Sequence, residues 1–289
     1  MPNQTQHTTL SALITMLDDP DDRVITVISD NLISFGKDAI KPLETALDNC
    51  LEEQQEARIR AILEKLYQSA LFAGFSDWLH TTPDDLFKGF FLVSLTKYRK
   101  IDEFMLSAII AGIKTEVWFD LHDDFTPREN IKVINRILFQ DYHFEGNKFD
   151  IAAPDNLYMN TFLNSKKGSP LTLGILFLII CQKLDLPVYG VNLPQHFILA
   201  YLKAKDIENP DEGDVLFYIN PFNNGAIFGR QEIDQFIGQM KIKPQKSFYQ
   251  PCSNADVIRR LINNLIFSYK NRGMDEDIIE LENLLTAFK

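Results

Sequence analysis

The 289-residue chain is 45% hydrophobic and 24% charged, ordinary globular values that exclude a disordered or fibrous protein. Its formal charge of -11 leaves no basic surface to neutralise phosphates, so nucleic acid is not an expected partner. Cys50, Cys181 and Cys252 are widely spaced and odd in number, so neither a disulfide framework nor a zinc site is suggested and a reducing compartment is favoured; the chain is read as cytoplasmic, with no metal or cofactor expected.

The N-terminal segment MPNQTQHTTLSALITML lacks the basic-then-apolar order of a signal peptide. Residues 171–181, the longest apolar stretch, fall short of the roughly 20 residues that span a bilayer, so no membrane association is expected. From residue 8 to 48, apolar positions recur at helical spacing: Leu10, Leu13, Ile14 and Leu17, then Val24, Val27, Ile28, Leu32 and Ile33. Asp18-Asp19-Pro20 ends the first predicted helix, Asp21 and Asp22 place negative charge at the start of the second, and Gly36 suits its stop. A third helix begins near Lys37. The DDPDD turn and the FGKDAIKPL segment resemble a HEAT-type helical repeat, with a plain helical cap as the alternative. Residues 51–73 continue as a charged helix whose Glu and Arg run forms a solvated face.

From residue 75 to about 150 the pattern is mostly helical, through DDLFKGFFLVSLTKY, DEFMLSAIIAGIKTEVWFDL and PRENIKVINRILFQDY. Turn-rich sequence begins around Phe144, an apolar helix follows over 170–184, and four β-rich stretches come next: LPVYGVNL, HFILAYL, DVLFYINPF and GAIFG. The tail, 253–289, reads as a helical hairpin broken at Gly273. The expected organisation is a helical region over 1–74, a mixed domain over 75–250 and a helical hairpin over 251–289. A buried helix feeding antiparallel strands, with helices to either side, is an α+β arrangement.

Ser169 and Pro170 form a helix start: the serine accepts a backbone N–H and the proline loses no needed donor. The positive end of a buried helix beside strands is a place where a thiol or hydroxyl nucleophile is activated. His196 opens the predicted strand HFILAYL and Asn220 closes DVLFYIN; with a loop near residues 205–212, a register pairing these two also pairs Tyr201 with Val215. Helix-borne nucleophile, histidine and orienting amide together form the pattern of nucleophilic acyl transfer. Each candidate also has a purely structural role. Ser169 is sufficient as a helix cap, Thr172 as a packing residue with a back-bonded hydroxyl, Cys181 as a small buried hydrophobe and His196 as a core histidine. Cys252 precedes Ser253, a cap for the tail helix. The remaining histidines, His7, His80, His122 and His143, lie far apart and suggest no metal site.

The run NKFDIAAPDNLYMNTFLNSKKGSPLTLGILFLIICQKLDLPVYGVNLPQHFILAYL, followed by FYINPFNNGAIFG, resembles the transglutaminase-like superfamily, specifically the bacterial SirB-one type. The resemblance covers about residues 75–230, and RRLINNLIFSYKNRG is similar to the family's C-terminal helices. It implies a papain-like core in which a cysteine at a helix N-terminus acts with a histidine and an aspartate on successive strands. His196 matches the histidine position and Asn220 the aspartate position, whereas the nucleophile position falls near Ser169 or Pro170 and holds no thiol. Gln195 stands where the family has glycine, and Lys166-Lys167 where it has arginines. The expectation is therefore a degenerate acyl-transfer scaffold: a non-catalytic, regulatory module that binds a protein or peptide. The alternatives are a hydrolase or acyltransferase using Ser169 or Thr172 with His196 and Asn220, and a structural protein with a filled cleft. Oligomeric state is left open.

Overall fold

The structure is a computed structural model and describes residues 4–205 and 210–289, with side chains of the first helix from Thr8 onward. The His7 side chain and the middle of the loop expected over 205–212 lie outside what is described. The chain divides into two compact units, Met1–Asp77 and Trp78–Lys289.

In the first unit, α1 (Gln4–Thr15), α2 (Asp22–Ser34), α3 (Lys37–Asp48) and the start of α4 (Glu53–Thr81) follow one another. Asp21 caps α2 by accepting the Arg23 backbone N–H, and Gly36 at φ 59° takes the left-handed turn into α3. Leu17, Leu32, Leu43 and Ile59 are among the residues of its core. Arg58 of α4 donates to the Leu17 and Asp19 carbonyls at 2.9 and 2.8 Å, tying off the first turn.

The second unit adds α5 (Leu86–Ser94), α6 (Glu103–Asp120) and α7 (Pro127–Asn135), the last opened by a capping box between Thr126 and Glu129. Two short strands, β1 (Glu145–Gly146) and β2 (Lys167–Gly168), pair in parallel around α8 (Met159–Ser165). Next comes α9 (Pro170–Lys183), in which every residue from 171 to 181 is buried. Such a helix is held by packing on all sides, each buried Leu or Ile contributing about 1.5–3 kcal/mol. The strands β3 (Val188–Val191), β4 (Ile198–Leu202), β5 (Val215–Asn220) and β6 (Ala226–Phe228) form an antiparallel sheet in that order. After it come α10 (Arg230–Gln239), α11 (Asn254–Lys270) and α12 (Ile278–Thr286). The unit is α+β, a buried helix against an antiparallel sheet with helical flanks.

Because side chains alternate along a strand, the sheet offers two different faces. Phe197 and Leu199 turn toward α9, close to Gly174. Ile198, Ala200, Leu202 and Tyr218 turn the other way and form a second core with Ile233 and Ile237 of α10. That helix has no counterpart among the expectations from sequence.

The register of β4 with β5 corrects another expectation. Leu199 opposes Ile219, Ala200 opposes Tyr218 and Tyr201 opposes Phe217, after which an irregularity places Leu202 opposite Val215. Extending this register puts Asn220 level with Ile198, not His196, and Tyr201 does not pair with Val215. The irregularity at 201/202 absorbs one residue, and β4 begins only at Ile198 because Gln195 turns the chain at φ 59°. A displacement of two residues preserves the side-chain face, so His196 and Asn220 remain on one side of the sheet.

Candidate functional site

The segment 193–198 separates two hollows. One, of about 270 Å³, is lined by His196, Ile198, Asn220, Phe228, Ile233 and Phe236, with Glu232 and Asn223 at its edge. The other, of about 230 Å³, contains Ser169, Gln195, Phe197, Arg260, Asn264 and Phe267. Alternation sends His196 and Ile198 to the α10 side and Gln195 and Phe197 to the α9 side. The structure therefore brings His196 together with Asn220 and leaves Ser169 and Thr172 on the other side of that segment.

At the α9 end the two hydroxyls are committed to each other. Ser169 Oγ accepts the Thr172 backbone N–H at 3.1 Å, and Thr172 Oγ1 accepts the Ser169 backbone N–H at 2.9 Å, a reciprocal capping box. Thr172 Oγ1 also donates to the Asn156 carbonyl at 2.8 Å, and the two hydroxyl oxygens stand 3.1 Å apart. Both residues are buried, at 4% and 0% exposure. Among the described residues, no hydrogen bond joins either hydroxyl to His196.

On the α10 side, the half-buried His196 ring stands edge-on to Phe236, with centroids 4.6 Å apart. Burial, with a smaller contribution from the Arg260 guanidinium, holds its imidazole below the ordinary value of 6.5, so the ring is neutral at neutral pH. Asn220 Oδ1 accepts the backbone N–H groups of Phe222 and Asn223 at 3.1 and 3.3 Å, capping the short turn over 221–223. Its carbonyl end is spent on the backbone, which leaves Nδ2 for the groove.

Residue 260 is a contributor that sequence patterning did not mark. From α11, Arg260 Nη1 donates to Asn192 Oδ1 at 3.2 Å, and Nη2 donates to the carbonyls of Leu193 and His196 at 3.1 and 2.9 Å. Its guanidinium also lies 5.7 Å from the Phe197 ring centroid. One planar donor fork thus fixes the segment that carries His196. Glu232, Ile233 and Phe236 of α10 were also missed, although Ile233, Phe236, Ile237 and Met240 stand at helical spacing after Gly229, with Glu232 at the third helical position.

The three cysteines lie elsewhere. Cys181 is fully buried inside α9, and burial raises its thiol. Cys252 bonds through its backbone to Gly190, and burial raises its thiol to about 12; Cys50 lies in the first unit. Among the described residues, no group of three or more His, Cys, Asp or Glu side chains is gathered as metal ligands would be, and no helix is long and apolar enough to cross a membrane.

Residues 105–263, more than half of the chain, match the transglutaminase-like superfamily. The chain belongs to this superfamily. Similar proteins include mouse F-box only protein 21, 28% identical over 158 residues that make up 55% of this chain and 25% of that protein. The UPF0162 protein YchA of Escherichia coli K12 is 29% identical over 156 residues, 53% of each chain, and a UPF0162 protein of Xylella fastidiosa strain 9a5c is 24% identical over 144 residues, 48% of each. The chain thus spans about a quarter to a half of the curated relatives it matches. No solved structure matches it.

Within the transglutaminase-like domain, the position before His196 acquires a physical reason for glycine. Gln195 sits at φ 59°, a left-handed conformation that costs a residue with a Cβ about 1–2 kcal/mol. Lys166 likewise sits at φ 60°, ending α8, with its ammonium 5.4 Å from the Tyr142 ring centroid.

The depressed imidazole makes a measurable prediction. A folded-state value below the unfolded one means that stability is complete above 6.5 and is lost as pH falls through the folded value. Between about pH 7.5 and about pH 5, His196→Gln should lose less thermal midpoint than the parent protein. Parallel acid sensitivity in both proteins would show that the histidine is equally easy to protonate folded and unfolded.

Proposed function

We propose that the transglutaminase-like domain is a non-catalytic, regulatory module that holds a protein or peptide segment in the groove between the sheet and α10. One observation carries this reading: the hydroxyls of Ser169 and Thr172 are spent on each other and on Asn156, on the far side of the 193–198 segment from His196 and Asn220. A serine nucleophile needs a base within hydrogen-bond reach, and the Asn220 amide oxygen that would orient the imidazole is instead taken by the Phe222 and Asn223 N–H groups. The groove pairs an apolar floor with a few polar groups, a composition suited to seating a side chain of an extended segment. The helical region over 1–74 fits a HEAT-like role of presenting further binding surface.

The decisive experiment exposes the full chain to serine- and cysteine-reactive electrophiles and follows intact mass for the parent, Ser169→Ala and His196→Ala. We expect no stoichiometric label at Ser169 or Thr172, and any thiol label should be indifferent to His196→Ala. Binding to a peptide array should be lost in Phe236→Asp. Stoichiometric labelling that disappears in His196→Ala would establish an acyl-transfer enzyme instead.

A further inference from the structure

The helix α6 is apolar on both of its faces. Its inner stripe, Leu106, Ile110, Ile113 and Val117, is buried at 8%, 1%, 0% and 0% exposure, so the core is already served. Its outer face nevertheless carries Phe104 at 78%, Met105 at 58%, Trp118 at 57% and Phe119 at 68% exposure. Amphipathic helices turn polar groups to water, and contiguous exposed apolar surface of this kind marks an interaction site.

The order of residues on that face identifies the partner. Phe104, Ala111 and Trp118 recur at seven-residue intervals, and so do Met105, Gly112 and Phe119, with the exposed Ala108 and Thr115 between them. Both stripes run large, small, large, and they are arranged symmetrically about the Ala111-Gly112 midpoint. An antiparallel two-fold pairing of two such helices sets Phe104 of each copy against Phe119 of the other, and Met105 against Trp118. The small residues meet at the axis, where backbones approach most closely. Aromatic pairs at both ends supply edge and face contacts.

Charge and area agree with this arrangement. The acids that bound the stripe are already neutralised, Glu103 by Lys88 at 2.9 Å and Asp120 by Arg136, while Glu116 accepts from the Tyr142 hydroxyl. A chain of charge -11 repels its copies at long range, and a face flanked by paired acids and by Lys114, whose ammonium lies 5.6 Å from the Trp118 ring centroid, is where direct contact meets least opposition. At roughly 150–250 Å² per large side chain, the four exposed residues leave about 500 Å² open on one copy. Two copies therefore bury on the order of 1,000 Å², where specific interfaces begin. We infer that the outer face of α6 is a self-association surface on which a second copy of this chain docks in antiparallel orientation.

Sedimentation equilibrium of the full chain tests this. The parent should show a reversible monomer–dimer equilibrium that strengthens with salt, as screening removes long-range repulsion. Ala111→Glu, which opposes two carboxylates across the axis, should weaken dimerisation by more than about tenfold. Phe104→Lys and Phe119→Glu should each do the same alone, whereas the two combined in one chain should restore the dimer, because only the antiparallel pairing brings these positions together. All three positions lie on exposed surface, so thermal midpoints and circular dichroism at monomeric concentrations should stay near those of the parent. A parent that stays monomeric, including one that sediments with anionic vesicles instead, overturns the inference. So does a dimer indifferent to Ala111→Glu, or a double variant that fails to recover.

Discussion

Replacing Gly174 by alanine is expected to destabilise the protein by about 1–3 kcal/mol, although alanine is the better helix former by about 1 kcal/mol. A Cβ on residue 174 would lie 2.5 and 2.6 Å from Cδ1 and Cε1 of Phe197, and the ring cannot retreat. Phe197 is 1% exposed, and across from Gly174 it meets Gly190, whose own added Cβ would lie 2.7 Å from its Cζ. Two glycines from α9 and β3 thus form the slot for one aromatic ring, and overpacking outweighs propensity. Urea unfolding of the full chain would read the loss. In a Phe197→Leu background the same glycine change should cost less, with a coupling of about 0.5–3 kcal/mol. Equal losses in both backgrounds would mean that the ring is not what resists the added methyl.

That slot shows which features of the fold are readable locally. The α9 start is legible because serine, proline and threonine carry their capping chemistry within four residues of chain, and the structure begins the helix at Pro170. The strands are legible as short runs rich in β-branched and aromatic residues, although β4, buried at every position, shows no alternation. The β4–β5 register is not, since the irregularity at 201/202 and the left-handed Gln195 are set by how the strands meet. His196 and Asn220 line one groove, yet their relation to Ser169 depends on which face α9 covers, and that is a long-range fact carried by Phe197 and Gly174. α10 carries a legible apolar spacing, Ile233, Phe236 and Ile237, directly after the strand-rich run. The outer face of α6 was hidden by the character of the helix itself, because apolar residues on every side do not say which side is inside.

The largest effect on the site itself should come from Arg260, a residue that its own sequence neighbourhood presents as one of two adjacent arginines on an amphipathic helix. Arg260→Met is expected to cost about 2–3 kcal/mol, because it keeps the aliphatic stem while taking the guanidinium donor from the His196 carbonyl and the Asn192 amide oxygen and leaving the Leu193 carbonyl only the His196 N–H. Removing the guanidinium from its buried position offsets part of this loss, since burial lowers its affinity for a proton. Arg260→Lys retains the charge, but a single ammonium cannot reproduce the fork that serves three oxygens, so only part of the stability should return. The imidazole offers a second readout, because the neighbouring cation helps to depress it. Titration of His196 by NMR should move upward in Arg260→Met and stay low in Arg260→Lys. An unmoved titration in the methionine variant, with stability intact, would sever the proposed link between α11 and the segment that divides the two hollows.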